Sequence, residues 1–301
     1  MTTFSPSDAA LEGFRLTREQ PRVLLLWALL QFAVSMGTAA VMIGLGGQHL
    51  MALEAAGADP SPDPALMMEE IRNLAPLYGV LLLAGLLMMA VMSAAVYRAI
   101  LEPGESKWGY LRLGADELRL AALKVIYFFI WGAIIFVVVL IAAIAGPIGA
   151  GLGGAFGQLL RLFVGLFSLG LLLFIAVRLS LAPAISFAEH RISVFDSWGL
   201  TRGYFWRLLG AYTLALAAIV VVALLGMVIF AAISGVAVVM RGGDLAEAGA
   251  AFSPDPTSLG SYFTILTVAY LAFAAVLTAL YYAVVTAPAA MAYLAIRPRA
   301  G

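Results

Sequence analysis

The stretch Gly149-Ala-Gly151-Leu-Gly153-Gly154 has the G-x-G-x-x-G spacing that brings backbone amides against a dinucleotide pyrophosphate. That chemistry needs a preceding strand, a following soluble helix and an acidic residue about 20 positions on. Here the motif joins two apolar runs, so Gly146 through Gly157 reads as a flexible hairpin. The two histidines, His49 and His190, fall on opposite sides of the expected membrane and cannot share a metal ion. Met67, Met68, Met88, Met89 and Met92 carry thioethers of the kind that bind Cu(I), but no cysteine or nearby histidine completes a site. They read as packing residues. The chain has no cysteine, hence no disulfide and no thiolate nucleophile or ligand. With no nucleophile–base pair and no carboxylate cluster, the expectation is a protein that is not an enzyme and holds no metal or cofactor.

The elements that must carry these residues follow from composition. Of 301 residues 63% are apolar and 11% charged, and the mean hydropathy is +1.03. Soluble domains are about 25% charged. A soluble enzyme, a disordered chain and a nucleic-acid binder are all disfavoured, the last also by a net charge of zero. A helix needs about 20 apolar residues to cross a hydrocarbon core of about 30 Å. Six runs qualify: Val23–Gly46, Pro76–Tyr97, Val125–Ala145, Leu162–Val177 continuing toward Ala188, Leu208–Met240 and Tyr262–Ile296. The runs are continuous rather than alternating, which excludes barrel strands. The fifth and sixth exceed one crossing, with Gly235 and Pro288 as expected breaks.

Fourteen of the seventeen Lys and Arg lie on one side of this layout; only Arg72, Arg161 and Arg241 lie on the other. The opposite connections are acidic: Glu54, Asp59, Asp63, Glu69, Glu70, Asp244, Glu247 and Asp255. By the positive-inside bias both termini are expected in the cytoplasm. The first apolar run lacks a clear cleavage site after it and reads as a retained helix. Fifteen Arg against two Lys, one Asn (Asn73) and abundant Ala, Gly and Leu suggest a bacterium with GC-rich codons, hence a bacterial cytoplasmic (inner) membrane. Trp27, Trp108, Trp131, Trp198 and Trp206 all fall on or near the basic side, where indoles favour the headgroup level.

Three stretches on that side align: Phe14-Arg-Leu-Thr-Arg18, Trp108-Gly-Tyr-Leu-Arg112 and Trp198-Gly-Leu-Thr-Arg202. Each precedes an odd-numbered membrane helix. After the even-numbered helices come Arg98-x4-Pro103, Arg178-x4-Pro183 and, without the arginine, Ala283-x4-Pro288. The outer connections echo in Ser61-Pro-Asp-Pro64 and Ser253-Pro-Asp-Pro256. The expected fold is all-α: one integral membrane domain over residues 1–301, with six transmembrane helices in three hairpins. Each hairpin follows a short amphipathic interfacial helix, giving a pseudo-threefold repeat over 1–103, 104–188 and 189–301. Ser5-Pro-Ser-Asp8 and Ser193-Val-Phe-Asp196 have capping-box spacing for two of the interfacial helices. In each, an aromatic and an arginine four residues apart share one helix face, so Phe14, Trp108 and Trp198, with Trp206, are expected as interfacial anchors. Arg18, Arg98, Arg112, Arg178 and Arg202 are expected to contact lipid headgroups.

Between the membrane boundaries the runs hold no Asp, Glu, Lys or His at mid-depth, only mild polar groups such as Gln31, Ser35, Ser93, Ser168 and Thr267. Ion-coupled carriers and intramembrane hydrolases keep charges there. Arg178 is expected at the interface, because it lies 17 positions from Arg161, about 25 Å of helix.

The segment from Arg178 to Gly210 resembles the bacterial six-helix membrane-domain family named after the glycerophosphoryl diester phosphodiesterase membrane domain, and related uncharacterised integral membrane proteins. The residues carrying the likeness are Arg178, Pro183, Glu189, Ser197, Trp198, Leu200, Thr201, Arg202, Gly203 and Trp206. The resemblance implies a stand-alone helical membrane module and no hydrolase, since the phosphodiesterase chemistry of fused relatives resides in a separate soluble barrel. The expected function is therefore a non-catalytic inner-membrane module that binds lipid or organises partner proteins. Its partners would be membrane lipids and other membrane proteins, not nucleic acid. The alternative is a transporter or channel for a small or amphipathic molecule, since many carriers contain internal repeats.

Overall fold

A computed structural model of the chain describes residues 4–58, 63–104, 107–243 and 255–297, with Lys107 described in its backbone only. Ser61, Pro62, Ser253 and Pro254 of the echoed loops lie outside the described residues, as do Asp59, Asp244, Glu247 and Arg299. Among the described residues all regular structure is helical. The elements are α1 (Pro6–Glu19), α2 (Pro21–Ala58), α3 (Pro64–Leu101), a short turn at Lys107–Tyr110, α4 (Ala115–Leu152) and α5 (Gly154–Leu179). Then come α6 (Ala182–Ala188), α7 (Asp196–Leu200), α8 (Phe205–Met240), α9 (Leu259–Tyr262) and α10 (Ile265–Ile296). Six are long and apolar enough to cross a membrane: α2, α3, α4, α5 with its continuation α6, α8 and α10. The chain is a polytopic, all-α membrane protein.

Local chemistry starts these helices where it should. Ser5 accepts from the Asp8 N–H at 3.4 Å with Pro6 in the first turn, as its spacing foretells. Asp63 caps α3 through the Ala65 N–H (2.9 Å), and Thr264 caps α10 through the Thr267 N–H (3.1 Å). At α4, Glu117 reaches back to accept from the Gly114 N–H at 3.0 Å. That interaction begins the helix at Ala115, ten residues before the apolar run. Helices α2, α3 and α4 each have 38 residues, about 57 Å, so they extend beyond a hydrocarbon core of about 30 Å or tilt strongly within it.

The last helix, α10, is the hub, packing against α1, α2, α3 and α8. The α4–α5 hairpin joins the bundle mainly through α3 and leaves Phe128, Phe136, Phe156, Phe163 and Phe167 exposed, a surface suited to a hydrocarbon surrounding. The tightest packing is at the end bearing α1, the 107–110 turn, α6 and α7, called here the basic end. There Tyr97, Leu120, Leu123, Ile185, Phe187 and Leu208 form one cluster, and Trp27, Met92, Val96 and Tyr110 another. Ala90, Ala94, Ala95, Ala279, Ala283 and Ala290 let the backbones approach closely within them.

Three expectations are corrected. Helix α8 passes Gly235 without a break, and α10 continues past Pro288, where the buried surroundings tolerate the missing N–H. The glycine-rich stretch, expected as a flexible hairpin, is helical on both sides of a tight turn: α4 runs through Pro147 to Leu152, and Gly153 (φ 63°) hands over to α5. Gly149 and Gly157 touch there, and a Cβ on Gly157 would overlap the Gly149 carbonyl. Finally, among the described residues, of the three segments expected as interfacial helices only α1, with 14 residues, is a full helix. The second is a left-handed turn and the third, α7, has five residues. Ser193 does not cap α7; its hydroxyl donates to the Asp196 carboxylate at 2.6 Å.

Candidate functional site: the arginine nodes at the basic end

The turn after α3 puts three successive residues at positive φ: Trp108 (53°), Gly109 (65°) and Tyr110 (64°). That geometry is strained for a tryptophan and a tyrosine and persists only where surroundings impose it. Two side chains impose it. The Trp27 indole N–H, fully buried, donates to the Gly109 carbonyl at 2.7 Å, and Arg98 Nη1 donates to the Tyr110 carbonyl at 2.6 Å. Arg98 Nη2 also donates to Glu117 Oε1 at 2.7 Å, and its guanidinium lies 5.4 Å over the Phe187 ring. Arg98 and Glu117 are each 2% exposed. The expected contact between Arg98 and a lipid headgroup is thereby replaced: the side chain is enclosed and its charge is met inside the bundle.

Arg178 forms a second, looser node. Its guanidinium sits between Phe174 and Trp198, 5.3 Å from each ring, and Nη1 donates to the Trp198 carbonyl (3.3 Å) and Thr201 Oγ1 (3.4 Å). Its Nε has no hydrogen-bond partner. Ser197 Oγ donates to the Arg178 carbonyl (2.7 Å) and accepts from the Leu181 N–H (3.1 Å). Arg178 thus lies in the last turn of α5, half-buried, ten residues before the end of the candidate span Gly154–Ala188. Both arginines donate into the Trp-Gly segment that follows in the chain.

The third landmark, Ala283 of α10, meets Gly13 of α1, next to Phe14. A Cβ on Gly13 would overlap the Val284 Cα and the Ala283 carbonyl, so only glycine permits this crossing. Phe14 itself packs beside Ala215, Ile219 and Val284 rather than projecting as an anchor.

Around these nodes the surface is basic and aromatic. Arg18, Arg112 and Arg202 are exposed, as are Trp108 (82%) and Trp206 (79%), with Trp198 less so. His190 Nδ1 lies 3.0 Å from Asp116 at the start of α4, and Asp116 also pairs with Arg119. Arg191 pairs with Glu189 and Asp196. The Ser193 hydroxyl, and then Arg191, hold the Asp196 carboxyl below its ordinary range, while Asp196 and Glu189 raise Arg191. At the other end His49 and Glu70 meet at 2.7 Å between α2 and α3. Among the described residues no group of three His, Cys, Asp or Glu could hold a metal ion. The site offers guanidinium and indole groups on a braced platform, which suits electrostatic and hydrogen-bonded binding of an oxyanion at an interface.

Glu117 and the buried role of Trp27 escaped the sequence reading. The Gly114-x-x-Glu117 spacing was the available signal for Glu117; Trp27 gave none, being indistinguishable from an interfacial indole. No known family, curated protein or solved structure matches this chain.

Proposed function

We propose that the chain is a non-catalytic membrane module whose basic end, facing the cytoplasm of a bacterial inner membrane, binds anionic lipid headgroups. The observation that carries this reading is a division among the arginines. Arg98 is locked inside as a brace, while Arg18, Arg112 and Arg202 stay exposed, as do the indoles of Trp108 and Trp206. A basic residue near an anionic leaflet contributes about 1 kcal/mol, so three act additively and modestly. The three units, in which each closing landmark (Arg98, Arg178, Ala283) meets the Trp-Gly or Phe14 segment, belong to the same proposal. The Arg178–Trp206 resemblance to the six-helix membrane-domain family belongs to the same proposal and rests on the sequence alone. Native mass spectrometry of the purified protein tests the reading. Retained phosphatidylglycerol in excess over phosphatidylethanolamine supports it, and retention matching the bulk membrane ratio refutes it.

A further inference from the structure

Lys124 of α4 is half-buried, one turn after the fully buried Leu120 and one turn before the exposed Phe128. It stands where the packed face of this helix gives way to the exposed one. The two acids of α4 are already engaged: Glu117 by Arg98 and the Gly114 N–H, Asp116 by Arg119 and His190. Among the described residues no carboxylate and no hydrogen-bond acceptor meets the Lys124 ammonium. The fully enclosed side-chain atoms without a partner there are Gln31 Nε2 and Arg178 Nε. Lys124 Nζ, which also lacks a partner, is therefore not enclosed and keeps an open side.

Depth identifies what can meet this charge. The uncharged run Val125–Ala145 spans about 31 Å of helix, which matches a hydrocarbon core of about 30 Å. Lys124 directly precedes that run and so marks the edge of the core at the basic end. Helical side chains lean toward the helix N-terminus, which carries the ammonium back toward the headgroup layer. An ammonium against hydrocarbon is costly without a counter-charge, and the oxyanion at that depth is a lipid phosphate. A zwitterionic lipid brings its own ammonium, which competes for the phosphate and sets like charges together. We propose that Lys124 binds the phosphate of one anionic phospholipid, whose acyl chains run along Val125 and Phe128. The inference rests on the reading that the basic end meets anionic headgroups, but the site is discrete and separate from the three exposed arginines.

Thermal melting of the full chain in neutral detergent, with and without phosphatidylglycerol, tests the site. Without lipid, Lys124→Leu should melt no lower than wild type, because it removes an unpaired charge. Phosphatidylglycerol should raise the melting temperature of wild type and Lys124→Arg by binding the folded state, and should barely raise that of Lys124→Leu. Native mass spectrometry at rising collision energy follows the last lipid to leave. Its occupancy should be equal in wild type and in the variant with Arg18, Arg112 and Arg202 all replaced by Gln, and several-fold lower in Lys124→Leu. If Lys124→Leu fails to fold, wild type decides alone: phosphatidylglycerol, compared with phosphatidylcholine, should slow acetylation of Lys124 several-fold by peptide mapping. Equal stabilisation of wild type and folded Lys124→Leu, the same stabilisation by inorganic phosphate, or unchanged acetylation overturns the proposal. A last lipid kept by Lys124→Leu and lost from the triple variant overturns it too, while leaving headgroup binding by the arginines intact.

Discussion

Arg98 and Glu117 meet across the corner between α3 and α4, Nη2 to Oε1 at 2.7 Å, and together they hold the left-handed turn that separates these helices. Glu117 serves twice, since its other oxygen caps the first turn of α4 at Gly114. The pair is a brace that sets the angle of the α4–α5 hairpin and presents Trp108 on the surface. Removing one partner of a buried pair leaves an uncompensated charge and destabilises by about 3–5 kcal/mol. Glu117→Leu should therefore lower the melting temperature markedly in detergent, and Arg98→Met combined with Glu117→Leu should recover part of the loss, the remainder reflecting the Tyr110 carbonyl left without its donor. Equal melting of Glu117→Leu and wild type would show that the brace carries no weight.

The α1–α10 crossing makes its own demand. Gly13→Val should lift α1 from Ala283 and Val284 and loosen the helix around Arg15 and Arg18, whose side chains are already exposed, so that its backbone enters the trypsin active site more readily. Cleavage after these residues should quicken several-fold relative to wild type. Unchanged cleavage would mean that α1 packs elsewhere in the membrane.

The tryptophans should separate by environment. Lipids brominated near the headgroup should quench Trp108 and Trp206 strongly and Trp27 little, which single-tryptophan variants resolve. Trp27→Phe also leaves the Gly109 carbonyl without its donor, a loss of about 1–3 kcal/mol that thermal melting would read.

Asp196 predicts a pH effect of definite sign. Its carboxyl is held below the ordinary range first by the Ser193 hydroxyl and then by Arg191. A depressed folded pKa means that the ionised group stabilises the fold above the unfolded value, and that this support is lost as pH falls through the folded value. Ser193→Ala should move the Asp196 titration, followed by carboxyl-carbon NMR, upward toward the ordinary range. A titration at the same pH in both proteins would contradict this.

Much of the fold is legible because hydropathy reports membrane spans directly: six apolar runs become six long helices, and Ser5 caps α1 as its spacing demands. The corner at Arg98 is not legible by that means. Asp116, Glu117, Arg119 and Lys124 depress the hydropathy of residues 115–124, so the apolar run begins at Val125 although the cap starts the helix at Ala115. Charge counting marks Arg98 as a surface cation for the same reason, because its partner lies 19 residues away in what reads as a loop. At Pro288 tertiary packing overrides the local tendency of proline to end a helix. The Arg178 position was within reach, since the spacing from Arg161 already placed it at a helix end.

Headgroup binding at the basic end is tested most directly by replacing Arg18, Arg112 and Arg202 together with Gln and counting retained phosphatidylglycerol by native mass spectrometry. Epitope tags after Gly153 and Glu189 should first show that the variant keeps the wild-type orientation, the former outside and the latter in the cytoplasm. With that orientation unchanged, the variant should retain several-fold less phosphatidylglycerol than wild type while melting at a similar temperature. Equal retention would contradict the account and leave these arginines as signals of orientation alone.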